Sequence, residues 1–90
     1  MEFEYDSNKS QINKKKHGID FESARRLWSD GKRVVIEAPY PVESRYILIA
    51  ELDKRLWSAV YTHRRSKIRI ISVRRSRKRE KELYETKKDS

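Results

Sequence analysis

His63 stands two positions after Tyr61 and one before Arg64. The chain then runs Lys67-Ile68-Arg69-Ile70-Ile71-Ser72-Val73-Arg74-Arg75. An imidazole can give or take a proton near neutral pH, and a phenol can do so when its environment allows. Guanidinium groups stay charged and present two parallel donors to a phosphate. Metal-free cleavage of a ribose phosphodiester needs these parts. A base takes the 2′-hydroxyl proton and the freed oxygen attacks phosphorus. Cations meet the charge on the phosphoryl oxygens, and an acid protonates the departing 5′ oxygen, leaving a 2′,3′-cyclic phosphate. His63, Tyr61, Arg64, Arg69 and Arg74 are the candidates for this chemistry. Each also has an ordinary reading. His63 suits a solvated position beside a turn, and Tyr61 suits the core of an apolar strand. Arg69 and Arg74 suit structural ion pairs, and Ser72 a tolerated small residue.

Charge supports a polyanionic partner. The chain has 23 Lys and Arg against 14 Asp and Glu, a net +9. From Arg64 to Lys81 there are ten basic residues and one acid, Glu80, so this one tract carries the whole excess. Such concentration points to RNA, DNA or an acidic protein surface, beside the plainer reading of a solvated basic face. Other chemistries have little to stand on. There is no cysteine, His17 and His63 lie 46 positions apart, and two glycines cannot build a phosphate-cradling loop. No metal or other cofactor is expected. The longest apolar run, Tyr46 to Ala50, is far too short to cross a membrane, and the acidic start Met1-Glu2-Phe3-Glu4 does not suit a signal peptide. A cytoplasmic protein is expected.

Ninety residues suit a single domain, 1–90. Alternation at Glu2–Tyr5 predicts a short strand. Asp6 or Ser7 caps a helix over 8–17 that Gly18 ends. Asp20 caps a second, with Phe21, Ala24, Leu27 and Trp28 on its apolar face. Strands follow at Arg33 to Glu37, Arg45 to Leu52, Arg55 to His63 and Lys67 to Arg74, with tight turns at Asp53-Lys54 and Arg65-Ser66. A charged helix begins near Arg75. The order predicts an α+β domain: a mostly antiparallel sheet of four to five strands, two N-terminal helices packed on one face, and a C-terminal helix. A regular ladder across the last hairpin puts Trp57, Ala59, Tyr61 and His63 on one face with Ile68, Ile70, Ser72 and Arg74. The other face then holds Ser58, Val60, Thr62, Arg69, Ile71 and Val73. A one-residue slip would exchange one strand's set. Lys9, Asn13 and Lys16 or His17 share one side of the first helix, either solvated or forming a cleft wall.

The chain resembles the BrnT toxin family over about residues 2 to 85. The resemblance is carried by Phe3-Glu4-Tyr5-Asp6, Lys9, Asn13, Lys16-His17-Gly18-Ile19, Phe21-Glu22, Ala24, Asp30, Glu43 with Arg45, Tyr61-Thr62, Arg64, Ile68 to Arg75, Arg79-Glu80 and Tyr84. Ala50, Arg65 and Ser76 depart from it, standing where Gly, Gly and Ala are usual. The resemblance implies a RelE-like fold and a metal-independent endoribonuclease that inhibits translation. It also implies a BrnA-like ribbon-helix-helix antitoxin in a 2:2 complex, with DNA bound only through that complex. Lys16, His17, Arg45, Arg64, Arg69, Ser72 and Arg74 match its motif positions. Lys16, His17, Arg45, Lys67, Ser72 and Arg75 are expected to bind RNA. The competing expectation is a non-catalytic module that grips nucleic acid or antitoxin through phosphate-like contacts alone.

Overall fold

The computed structural model describes residues 1–88. Strand β1 (Phe3–Glu4) is followed by helix α1 (Ser7–His17), a single α-helical turn α2 (Phe21–Ala24) and a 3-10 segment (Arg25–Ser29). Four strands come next: β2 (Val34–Ala38), β3 (Arg45–Leu52), β4 (Arg55–Arg64) and β5 (Lys67–Arg75). Helix α3 (Lys78–Lys88) closes the order. Asp6 caps α1 by accepting the Asn8 and Lys9 amides, and Gly18, at φ 83°, ends it by donating to the Lys14 carbonyl at 2.9 Å. Asp20 accepts from the Ser23 amide at 2.8 Å and opens α2. The second helix is thus shorter than its apolar spacing predicts, because the chain tightens into 3-10 geometry at Arg25.

The sheet order is β1-β5-β4-β3-β2. β2 to β5 are antiparallel, but β1 joins β5 in parallel, Phe3 opposite Ile68 and Glu4 opposite Arg69. The sheet is therefore mixed, a correction to the antiparallel expectation. The chain leaves β1 into α1 and returns to β5 only at its end, so those two strands run the same way. Both hairpin turns have two residues, and all four take positive φ: Asp53 53°, Lys54 66°, Arg65 50° and Ser66 71°. Such values suit the type I′ turns that match strand twist, and here they are reached without glycine.

The core lies on one face. Phe21, Ala24, Leu27 and Trp28 pack on Leu48, Ala50, Trp57, Ala59, Tyr61, Ile68, Ile70 and Val73. Helix α1 does not lie there. It supplies only Ser10 and Asn13 as buried residues and flanks β5 beyond the end of β1. Asn13 donates to the Val73 carbonyl at 2.8 Å and accepts the Val73 amide at 3.1 Å, so its side chain pairs the backbone that β1 is too short to reach. A second bond from Asn13 to the Ile19 carbonyl, at 2.8 Å, fixes the turn after α1. Two helices on one face was thus half of what forms: one segment covers the face and the other guards an edge. Asn13→Ala strands a buried amide and carbonyl, and urea unfolding is expected to show a loss of about 2–3 kcal/mol. A loss under about 0.5 kcal/mol would deny Asn13 this role.

Helix α3 covers part of the opposite face, where Ile49, Ser58 and Arg74 point. Glu80 accepts from Arg74 at 2.7 and 2.8 Å, from Ser58 at 2.9 Å and from the Arg77 amide at 2.8 Å. Further along, buried Tyr84 donates to Asp30 at 2.8 Å, and Asp30 also accepts the Lys32 and Glu51 amides. Burial opposes the Asp30 charge, but these donors outweigh it and hold its pKa below the ordinary carboxylate value. Burial and the Asp30 contact both push Tyr84 upward, which keeps its phenol protonated.

Candidate active site

The register between β4 and β5 decides which side chains can meet. Val60 faces Ser72, whereas Tyr61 faces Ile70, leaving Ile71 as an extra residue. This bulge reverses the alternation along β5. Ile68 and Ile70 before it, and Val73 and Arg75 after it, all lie on the side of Trp57, Ala59, Tyr61 and His63. Ser72 and Arg74 move to the other side, with Ser58, Val60, Thr62 and Arg69. The regular ladder expected from sequence, which grouped Tyr61, His63, Ser72 and Arg74, is corrected here. The packing reason is visible at Val73, which is fully buried under the helical segment, a place a serine or arginine would not fill.

Tyr61 and His63 do stay together. Their rings lie 5.7 Å apart, and both contact Tyr46, at 5.4 Å from Tyr61 and 5.3 Å from His63. Trp28 abuts Tyr61 at 5.2 Å. Tyr61 is buried and burial raises its pKa, so the phenol holds its proton. His63 is exposed at the outer edge of this aromatic shelf. Tyr46 stands in the sequence only as the start of the apolar run; its ring contact with His63 depends on pairing between β3 and β4.

The other side of the same sheet end is cationic. Register pairs Arg69 with Thr62 on one side and Glu4 on the other, and Arg45, one residue before Tyr46, lies on the same face. The Arg69 guanidinium meets Glu4 at 3.9 Å, a loose contact. Arg45 lies over the Tyr40 ring at 4.5 Å, and its Nε is buried without a hydrogen-bond partner. The next row holds Arg64 opposite Lys67, and Lys67 reaches Glu2 at 3.8 Å. Arg64, Arg65, Lys67 and Glu4 surround a recess of about 260 Å³ at the hairpin. Glu4 was read as the polar half of an alternating strand. Parallel pairing brings it among these cations, a placement with no local signature.

The remaining candidates lie elsewhere. Arg74 is spent on Glu80, both side chains being largely buried. Lys16, His17 and Ser72 line a groove between α1 and β5 with Lys9, Asn13 and Ile71, about 230 Å³ in volume, so that side of the helix does form a cleft wall. Arg75 lies over Trp57 at 5.5 Å, at the far end of β5. Among the described residues, no three His, Cys, Asp or Glu side chains lie close enough to hold a metal ion. Nor is any helix there long and apolar enough to cross a membrane.

One end of the sheet thus carries an exposed imidazole on one face and, on the other, weakly paired arginines around a small recess suited to an anionic group. A comparison with curated proteins gives no match. The family model for BrnT, the ribonuclease toxin of a type II toxin–antitoxin system, matches residues 5–80. That span covers most of the 90 residues, all of the sheet from β2 to β5, and the hairpin that carries His63 and Arg64; the chain belongs to the BrnT family of ribonuclease toxins.

Proposed function

We propose that this toxin is a metal-independent endoribonuclease whose working centre is the β4–β5 hairpin end. The observation that carries the reading is the cluster of Arg64, Arg65 and Lys67 around the recess, with Arg69 on the same face and His63 exposed on the other face of the same hairpin end. In this reading Arg64 and Arg69 hold the scissile phosphate and take up its growing charge. His63 moves one proton, either from the 2′-oxygen or to the 5′-oxygen, and water carries the other. The O2′–P bond forms, the P–O5′ bond breaks, and the products carry a 2′,3′-cyclic phosphate and a 5′-hydroxyl. Tyr61 positions His63 through the shared ring shelf. Arg74 serves by anchoring α3. Arg45 and Lys67 bind flanking phosphates, and Lys16, His17, Ser72 and Arg75 continue the track along α1 and β5.

The cognate antitoxin is proposed to be a BrnA-like ribbon-helix-helix protein forming a 2:2 complex in the cytoplasm, with DNA contacted through the antitoxin. Half-buried Ile47, Val60 and Ile71 beside Arg45 and Arg69 suit a partner with apolar and acidic anchors.

Purified toxin incubated with RNA in EDTA is expected to cut, yielding cyclic phosphate ends. His63→Ala should slow cleavage about 100-fold or more. Cleavage abolished by EDTA and restored by a divalent ion would overturn metal independence. The engagement of Tyr61 in packing and Arg74 in an ion pair favours a second reading, a binding module without catalysis. Intact RNA together with salt-sensitive binding would support that module instead.

A further inference from the structure

We infer that a recess at the opposite end of the sheet is a second RNA-contact site, holding a backbone phosphate remote from the bond that is cut. The inference rests on the ribonuclease reading above and adds an anchor to it. Lys14 from the last turn of α1, Arg26 from the 3-10 segment and Arg55 from the start of β4 bring three cations to one rim. The cavity they surround is about 390 Å³, with Ile19, Leu52 and Trp57 forming its apolar wall. Its one carboxylate, Asp53, approaches Arg26 only at 3.9 Å. Neither Lys14 nor Arg55 has an ion-pair partner among the described residues. Three like charges drawn together from distant parts of the chain repel one another, and an anion in the recess relieves that repulsion. The apolar wall suits the sugar carbons that accompany a nucleotide's phosphate.

Continuity favours RNA over an acidic peptide. Helix α1 begins beside Arg69, which acts on the Asp6 carboxylate, and ends at Gly18 in the recess wall. The groove holding Lys9, Lys16, His17 and Ser72 runs between those points. Arg75 on Trp57 extends the basic surface at the recess. From His63 to Trp57 is six residues of one strand, about 20 Å, so a single strand bound at the hairpin passes the groove and reaches the recess within a few nucleotides. The cleaved linkage itself needs none of these contacts.

Binding of 2′-O-methyl RNA, which lacks the attacking hydroxyl, separates the two sites. A trimer is expected to bind wild type and Lys14→Ala/Arg55→Ala alike. A 12-mer should bind the double variant about tenfold more weakly at low salt. Its salt slope should fall by about 1 to 2, since a single-strand phosphate contact contributes roughly 0.7. The charge-keeping pair Lys14→Arg/Arg55→Lys should retain the 12-mer, and cleavage of a short unmodified substrate should be unchanged in all three proteins. If wild type cuts RNA but the double variant binds the 12-mer equally well, the second site is wrong and the ribonuclease reading stands. If the double variant loses antitoxin binding while RNA binding holds, the recess is a protein-docking site and the inference fails. If wild type neither binds nor cuts RNA, both fall.

Discussion

Replacing Glu80 with alanine is expected to cost about 3 kcal/mol of unfolding free energy, the largest stability loss of any single surface-derived charge in this chain. The carboxylate accepts both Arg74 donors, the Ser58 hydroxyl and the Arg77 amide, so one deletion leaves a largely buried guanidinium without its counterion and α3 without its first-turn cap. Those contacts, led by the Arg74 hydrogen bonds, pull the Glu80 pKa from its ordinary 4.5 to about 2. A carboxylate whose folded pKa is depressed stabilises fully above its unfolded value and loses that contribution as pH falls through the folded one. Wild type should therefore weaken from about pH 4.5 toward pH 2, and the variant should show a flatter profile over that window. Chemical denaturation across pH measures both. Equal stability at neutral pH, or parallel acid profiles, would remove Glu80 from this role. The Arg74→Met/Glu80→Leu pair should recover part of the loss, because an apolar pair needs no desolvation of charge. Lost cleavage in Arg74→Ala should accordingly track lost folding, and a folded, inactive Arg74→Met/Glu80→Leu protein would instead put the guanidinium at the phosphate.

The second large effect concerns rate. Arg64→Ala combined with Arg69→Ala should slow RNA cleavage about 10³-fold, since removing one donor aimed at developing charge typically costs 10²–10³-fold. Stability should hardly move. Arg64 is exposed, and the Arg69 contact to Glu4 at 3.9 Å is the sort of half-exposed pair worth about 0–1 kcal/mol. Single-turnover rates with thermal melts alongside decide the matter. A double variant that melts normally and still cuts within about threefold of wild type would exclude these arginines from the reaction.

The elements were largely readable from residue type because their signals are local. Asp6, Gly18 and Asp20 mark helix ends through hydrogen bonds made within four residues, and β3 spans Arg45–Leu52 around the apolar run Tyr46 to Ala50, as expected. Two features were not local. The bulge at Ile71 answers to what fits beneath the helical segment, Val73 rather than Ser72, and nothing in the alternating apolar run from Ile68 announces it. The parallel attachment of β1 depends on a partner more than sixty positions away. Both errors fall on the candidate site. The first separated Arg74 and Ser72 from Tyr61 and His63, and the second hid Glu4 until it stood beside Arg69. Asn13 illustrates the same limit: its helical spacing was plain, but its use as backbone partner for Val73 needed the edge that a two-residue β1 leaves open.

The pairing of Phe3 with Ile68 also orders events during synthesis. Strand β1 is made well before β5 and must wait for it before pairing. Closing so long a loop slows assembly relative to helices and hairpins of local contact. The cationic recess at the hairpin, whose rim includes Glu4, is therefore complete only after this long-range pairing has formed.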